Sequence, residues 1–214
     1  MSKFSFSGLI SLLLVVLLVV PGLGQTRVGK LGVGVEGSGQ YLLGAGNVNT
    51  SPAMGFGLNM NYSILEGLGI RSKFIYNQLS WKTTGGNEAT TDLMSLNMYF
   101  SGDLMPNSAF NIFLLGGGGI TMYEPRTPDG SRTPNSTFDI HYIGGAGADI
   151  FLSEFWSITV MGEYVMTNAK WYNGPTNSDN DSFLRGSIQI RYYLFDEGFI
   201  VKLLQAQRDR SKNQ

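Results

Sequence analysis

Ser182-Phe183-Leu184-Arg185-Gly186-Ser187-Ile188-Gln189-Ile190-Arg191-Tyr192-Tyr193-Leu194-Phe195 is the stretch on which the fold turns. Read at period two, one face carries Leu184, Gly186, Ile188, Ile190, Tyr192 and Leu194, and the other Phe183, Arg185, Ser187, Gln189, Arg191 and Tyr193. Successive side chains of a strand point to opposite faces, so such alternation is a strand signal. On a helix Ile188 and Ile190 would lie about 200° apart and leave no apolar stripe. Ordinary strands run roughly five or six residues. A segment this long, apolar on one face and charged on the other, suits a strand that crosses a membrane.

Seven further segments alternate in the same way: 29–43, 53–64, 68–82, 92–103, 109–123, 137–151 and 156–168. The cleanest is 53–64, where Met54, Phe56, Leu58, Met60, Tyr62 and Ile64 oppose Gly55, Gly57, Asn59, Asn61 and Ser63. Beyond Gln78 the third segment loses its register, as expected of a strand that has left the apolar layer. Connections alternate in length, long after residues 43, 82, 123 and 168 and short near Leu65, Leu104 and Leu152. That spacing predicts an all-β fold, an eight-stranded antiparallel up-and-down transmembrane β-barrel with tight periplasmic turns and four long outer loops.

A soluble barrel of lipocalin type would show the same parity with its faces exchanged. Its water-facing wall would be rich in Lys and Glu. Here the polar positions are mostly Gly, Ser, Asn and Thr, and their few charges come in nearly balanced signs. Only 14% of the residues are charged, and the formal net charge is −1, well below the roughly 25% charged content of soluble domains. No basic surface argues for nucleic acid. The absence of cysteine removes disulfides, thiolate metal sites and a lipidated cysteine anchor.

Residues 1–24 read as a cleaved secretory signal peptide. Lys3 gives the positive start, residues 9–20 an apolar run, and Gly22 and Gly24 the small residues at −3 and −1 before Gln25. The apolar run is short of the ~20 residues a helical span requires. The predicted organisation is signal peptide 1–24, outer-membrane barrel 25–195 and periplasmic C-terminal tail 196–214, in a Gram-negative envelope. Residues 198–210 read as a short helix or a frayed tail.

The signal peptide, the eight alternating segments and the Tyr192-Tyr193-Leu194-Phe195 ending resemble the small outer-membrane β-barrel family of OmpA- and OmpX-type proteins. The likeness is one of pattern, with no diagnostic short motif. It implies a chain handled by the barrel-insertion machinery, which reads a terminal aromatic strand, so Tyr193 and Phe195 become the insertion-signal aromatics. It also implies residence among outer-membrane lipid and lipopolysaccharide. The tail is too short for the wall-binding domain of OmpA-type proteins.

Candidate site residues follow from parity. Glu36, Arg71, Lys73, Asp139, Asp149, Glu163, Arg185 and Arg191 all fall on polar faces. Buried charge is costly unless paired, so a structural charge network is expected, with Arg185 and Arg191 approaching Glu163 and Glu36. Arg126, Arg132, Trp171 and Tyr172 are the candidate contacts of the outer loops. Aromatics at strand ends, Phe151 and Trp156 among them, are expected to form interface girdles.

Enzymatic readings are weak. His141 is the lone histidine, with Asp139 two positions away, but the His-x-Ser spacing of outer-membrane lipid A deacylases is absent. Gly116–Gly119 lacks the Lys-Ser/Thr of a phosphate loop, and residues 173–181 lack EF-hand spacing. No cofactor and no metal are implied. The expected function is a non-enzymatic, monomeric structural or interaction barrel, with a narrow ion channel as the alternative and a lipid-modifying enzyme behind it.

Overall fold

In a computed structural model, the structure describes residues 28–43, 51–82, 86–126, 129–131, 138–169, 172 and 181–195. Eight strands appear in chain order: β1 Leu31–Leu43, β2 Ala53–Leu65, β3 Leu68–Lys82, β4 Glu88–Asp103, β5 Phe110–Arg126, β6 Phe138–Phe151, β7 Trp156–Thr167 and β8 Ser182–Phe195. Each pairs antiparallel with the next, and β8 pairs back onto β1 to close the barrel. The closing seam runs from Leu43 opposite Ser182 to Leu31 opposite Phe195, with one register shift beside Leu31. Closure gives every strand a neighbour on both sides through the body of the barrel. The predicted signal peptide and the tail 196–214 lie outside the described residues.

The faces divide as the alternation predicts, with apolar positions outward. Phe56, Leu58, Ile188 and Ile190 are exposed, whereas Asn59, Asn61, Gln189 and Arg191 are buried. In water such a wall would be an apolar patch far beyond the few hundred Å² a soluble monomer shows. Only lipid covers it without cost.

Phe151 departs from the expected girdle. It takes the inward parity of β6 and packs against Tyr193 with ring centroids 5.9 Å apart, closing the tight-turn end of the lumen from inside. Trp156 does face outward, where its ring meets Tyr192 at 5.0 Å.

Strands β3, β4 and β5 are the longest, at 15, 16 and 17 residues. β4 starts at Glu88 and β5 ends at Arg126, both beyond the segments predicted. The extra length lies at the long-loop end, since β2 reaches only Gln78 of β3 and β6 only Met122 of β5. There the polarity inverts. Leu79, Trp81 and Tyr123 point inward and are buried, while Gln78, Ser80 and Lys82 point outward. The blurred register after Gln78 is therefore a change of surroundings: the strand keeps its parity, with water outside it in place of lipid.

Glycines give room at particular points inside. Gly147 stands opposite Phe113, and a Cβ there would lie 2.5 Å from Phe113 Cζ and 2.8 Å from Met161 Cβ. At Gly119 a Cβ would come within 2.7 Å of His141 Nε2. Gly116 and Gly144 face outward with nothing within 4 Å, so they relieve no crowding.

Candidate functional site: the charged lumen

The interior is layered. At the tight-turn end Arg71 of β3 grips Asp149 of β6, with Nη2 donating to Oδ2 at 2.7 Å and Nη1 to Oδ1 at 3.4 Å. The same guanidinium stands 3.6 Å from Asp103 and lies over the Phe113 ring at 3.6 Å. Arg191 of β8 also donates to Asp149, at 3.4 Å, and through Nε to Asn59 at 3.0 Å. The Thr159 hydroxyl donates to Asp149 at 2.5 Å. One carboxylate thus collects two guanidiniums and a hydroxyl. Fork-to-carboxylate geometry is the strong form of a buried pair.

A second cluster lies nearer the middle. Lys73 Nζ is 2.7 Å from Glu163 Oε2 and 3.6 Å from Glu36 Oε1. Arg185 Nη1 is 3.8 Å from the same Glu163 oxygen, and its Nε donates to Gln40 at 3.3 Å. Gln189 joins the clusters, accepting from Arg191 Nη2 at 2.5 Å and donating to Glu36 Oε2 at 2.9 Å. Across both clusters the described residues set four cations (Arg71, Lys73, Arg185, Arg191) against four carboxylates (Glu36, Asp103, Asp149, Glu163).

Of the eight residues predicted for a network, seven meet here, by partly different pairings. Arg185 does approach Glu163. Arg191 does not reach Glu36; the register puts Gln189 opposite Glu36 and Arg191 opposite Gly34, so Arg191 reaches Asp149 instead. Asp139 stands apart, nearer the outer mouth. Asp103, Asn59 and Thr159 were missed, although Asp103 shares the inward parity of Asn97 and Tyr99 and could have been found by extending it.

Above the charges lies a neutral polar layer. His141 is buried, with Nε2 2.7 Å from Asn97 Oδ1 and Nδ1 3.3 Å from Thr121 Oγ1, which in turn bonds Ser95 at 2.8 Å. An acceptor at Nε2 places the ring proton there. Among the described residues no serine is hydrogen-bonded to His141, and Asp139 is engaged by Tyr172. Among the described residues there is no group of three or more side chains able to hold a metal.

The outer mouth is filled by an apolar cluster that includes Leu42, Leu79, Trp81, Leu93, Tyr123 and Phe183. Tyr172, expected to contact partners outside, belongs to this cluster. It is 1% exposed, its ring 4.4 Å from Tyr123 and 5.0 Å from Phe183. Its hydroxyl donates to Asp139 at 3.1 Å, its N–H to Asp181 at 3.1 Å, and its carbonyl accepts from Thr91 at 2.8 Å. Burial, and then the neighbouring Asp139 carboxylate, push its phenol above the usual range. An aromatic carried in next to an apolar mouth gains more by filling it than by standing in water, so Tyr172 turns inward. Among the other expected loop contacts, Arg126 sits on the outer wall, 2.9 Å from Asp92, which also accepts from Gln78 and Tyr76. Arg132 and Trp171 lie outside the described residues, as does the 173–180 stretch. Tyr193 points into the lumen, and nothing is described of the Phe195 side chain.

An eight-stranded barrel with an apolar outer wall and a paired, hydrogen-bonded interior is the architecture of an integral membrane barrel. Solved structures of that class share its fold. Neisserial surface protein A matches with a TM-score of 0.57 at 13% identity, over 76% of this chain and 96% of that one. OprG of Pseudomonas aeruginosa gives 0.55 at 12% identity over 82% and 100%, and Ail of Yersinia pestis 0.54 at 14% over 78% and 99%. The chain has the fold of a small eight-stranded outer-membrane β-barrel. No protein-family model and no curated protein matches the sequence.

Proposed function

We propose that this protein is an integral outer-membrane barrel of structural and interaction type, with a lumen closed by its charge network and four long loops meeting the outside. The observation that carries the reading is the pairing of charges across the lumen. Lys73 reaches Glu163 from the fourth strand away, and Arg71 reaches Asp149 from the third. Eight strands enclose a space that side chains just fill, and here those side chains are bonded to each other. The chain enters the envelope by a cleaved signal peptide and is seated by the barrel-insertion machinery as a monomer among lipopolysaccharide and phospholipid. The role proposed is non-enzymatic, a reading supported by the engagement of His141 with Asn97 and Thr121.

Ail has been crystallised with the heparin analogue sucrose octasulfate. A polysulfate needs clustered cations. The outer loops and strand ends of this chain carry Lys82, Arg126, Arg132 and Lys170 against Glu88, Asp92, Glu124, Asp129, Asp179 and Asp181. A polyanion is therefore not the ligand proposed for them.

Planar-bilayer recording tests the closed lumen. The wild-type protein is expected to give no steady conductance. A conductance that changes in Glu163→Ala would replace this reading with a narrow ion channel. Lipid A from a deletion strain is expected to be unchanged by mass spectrometry. Recovery of the protein as a soluble periplasmic species without a heat-dependent shift in gel mobility would end the membrane reading altogether.

A further inference from the structure

β1 and β8 meet along a groove in the outer wall. Its volume is about 690 Å³, and its floor is Gly37 and Gly39 of β1 with Gly186 of β8. Gly39 stands opposite Gly186 across the seam, and Gly37 opposite Ile188. Met54 of β2 rises on one side, Val160 of β7 and Ile188 on the other. From the level of Val35 and Ile190 to that of Gly39 and Gly186, the floor runs about 13 Å along the strands.

The fold gives no reason for glycine at these three positions. None has the positive φ that glycine alone adopts readily. A Cβ at Gly37 or Gly186 would meet nothing within 4 Å, and at Gly39 only Met54 Sδ at 3.8 Å. Gly34, on the inward face of the same strand, is the contrast: a Cβ there would stand 2.1 Å from the Ile190 carbonyl oxygen. Glycine weakens a strand. Where the backbone needs neither the angle nor the room, it marks a place that something else approaches closely.

The chemistry of the groove selects its occupant. The side chains that face it are those of Val, Ile and Met, while Glu36, Ser38 and Ser187 beside them turn into the lumen and are buried. The backbone of the floor is engaged in the ladders on either side of β1 and β8. An occupant is therefore aliphatic and needs no hydrogen bond. Thirteen residues line the groove, against the roughly 20–30 a side of a stable protein interface, so it offers a second barrel too little. It is continuous with the wall that faces lipid, and it lies toward the long-loop end. The next outward-facing level above Gly39 and Gly186 is Tyr41 with Leu184, and Tyr164 beyond them. Tyrosines favour the membrane–water boundary, so a lipid with its head group at that boundary lays its chain along this floor.

We propose that the groove holds one acyl chain of lipopolysaccharide, laid along the β1–β8 seam with its head group above Tyr41 and Tyr164. This deepens the outer-membrane reading and rests on it, because that reading puts the long-loop end in the outer leaflet.

The full-length protein, extracted in mild detergent and mixed with a rough lipopolysaccharide of uniform acylation, is expected to show one tightly held lipid per barrel in native mass spectrometry. Gly186→Leu and Gly37→Leu each fill the floor without a clash and should each remove that adduct. Gly116→Leu, outward on β5 and outside the groove, should keep it. A heat-dependent gel shift shows which proteins are folded. A folded wild type without the adduct overturns this proposal alone; a wild type recovered soluble and without the shift overturns the membrane reading with it. Three further results would overturn the proposal: equal adducts in all the variants, which seat the lipid elsewhere; displacement by equimolar phosphatidylethanolamine, which leaves no preference for lipopolysaccharide; or a dimer that Gly186→Leu abolishes, which gives the groove to a second copy.

Discussion

Lys73 and Glu163 sit on strands four apart in a ring of eight, and their 2.7 Å contact crosses the full width of the barrel. A bond of this kind ties opposite walls directly, whereas the backbone ladder ties only neighbours. Glu163 also faces Arg185 at 3.8 Å, so its loss takes a carboxylate from Arg185 and leaves the buried Lys73 with only the longer 3.6 Å contact to Glu36. Breaking a buried pair from one side costs about 3–5 kcal/mol, whereas replacing both partners by apolar groups is often close to neutral. Urea unfolding in lipid vesicles should show Glu163→Ala destabilised by about 3 kcal/mol or more. Lys73→Met combined with Glu163→Met should lose clearly less than the sum of the single changes. Additive losses would mean the pair is not coupled.

Gly147→Ala places a Cβ 2.5 Å from the Phe113 ring. Overpacking of a filled interior costs about 1–3 kcal/mol, and a loss of that size is the expected result. Gly144→Ala, three residues earlier on the outer face with open space around it, should be nearly silent in the same assay. Equal effects would show that strand propensity, rather than the Phe113 contact, sets the cost.

Leu58 faces outward near the middle of β2. An arginine at the bilayer midplane of a barrel costs about 2–4 kcal/mol and much less near the interfaces. Leu58→Arg should therefore lower stability and membrane assembly, while Gln78→Arg, on the overhang of β3, should be tolerated. In a water-facing barrel Leu58→Arg would be harmless.

The Tyr172 phenol is held protonated by burial and by Asp139. Its folded pKa is raised, so the folded state keeps this proton more tightly than the unfolded chain does. The stability it contributes is complete below the unfolded value of about 10 and is lost as pH rises beyond it. Alkaline unfolding of wild type should therefore begin above about pH 10. Tyr172→Phe should abolish that part of the pH dependence and lower stability by about 1–3 kcal/mol at neutral pH, because the Asp139 oxygen loses its donor. An unchanged alkaline profile in Tyr172→Phe would remove the phenol from the account.

Period-two alternation made β8 legible to the residue, because its apolar and polar faces hold from end to end, whereas in β3 the pattern faded after Gln78 although the strand runs on to Lys82. The same parity sent Glu36, Arg71, Lys73 and Arg185 inward. Their partners were less legible, since long side chains meet across the lumen between strands that are not neighbours. Whether Arg191 finds Glu36 or Asp149 depends on where β8 lies against β1, and alternation is blind to a shift of two. Tyr172 was misread for another reason. It lies in a segment without alternation, and its burial follows from an apolar mouth assembled by Leu42, Leu79, Trp81 and Tyr123, four residues remote from it in sequence.

The overhang of β3–β5 makes the molecule lopsided about its axis. About three extra residues per strand lift one flank roughly 10 Å above the rest, and its outer rim is braced by Asp92 with Arg126, Gln78 and Tyr76. A body drifting in along the membrane surface meets the raised strands from that side and only the shorter strands from the other. Neighbours in the leaflet consequently have a front and a back to choose between.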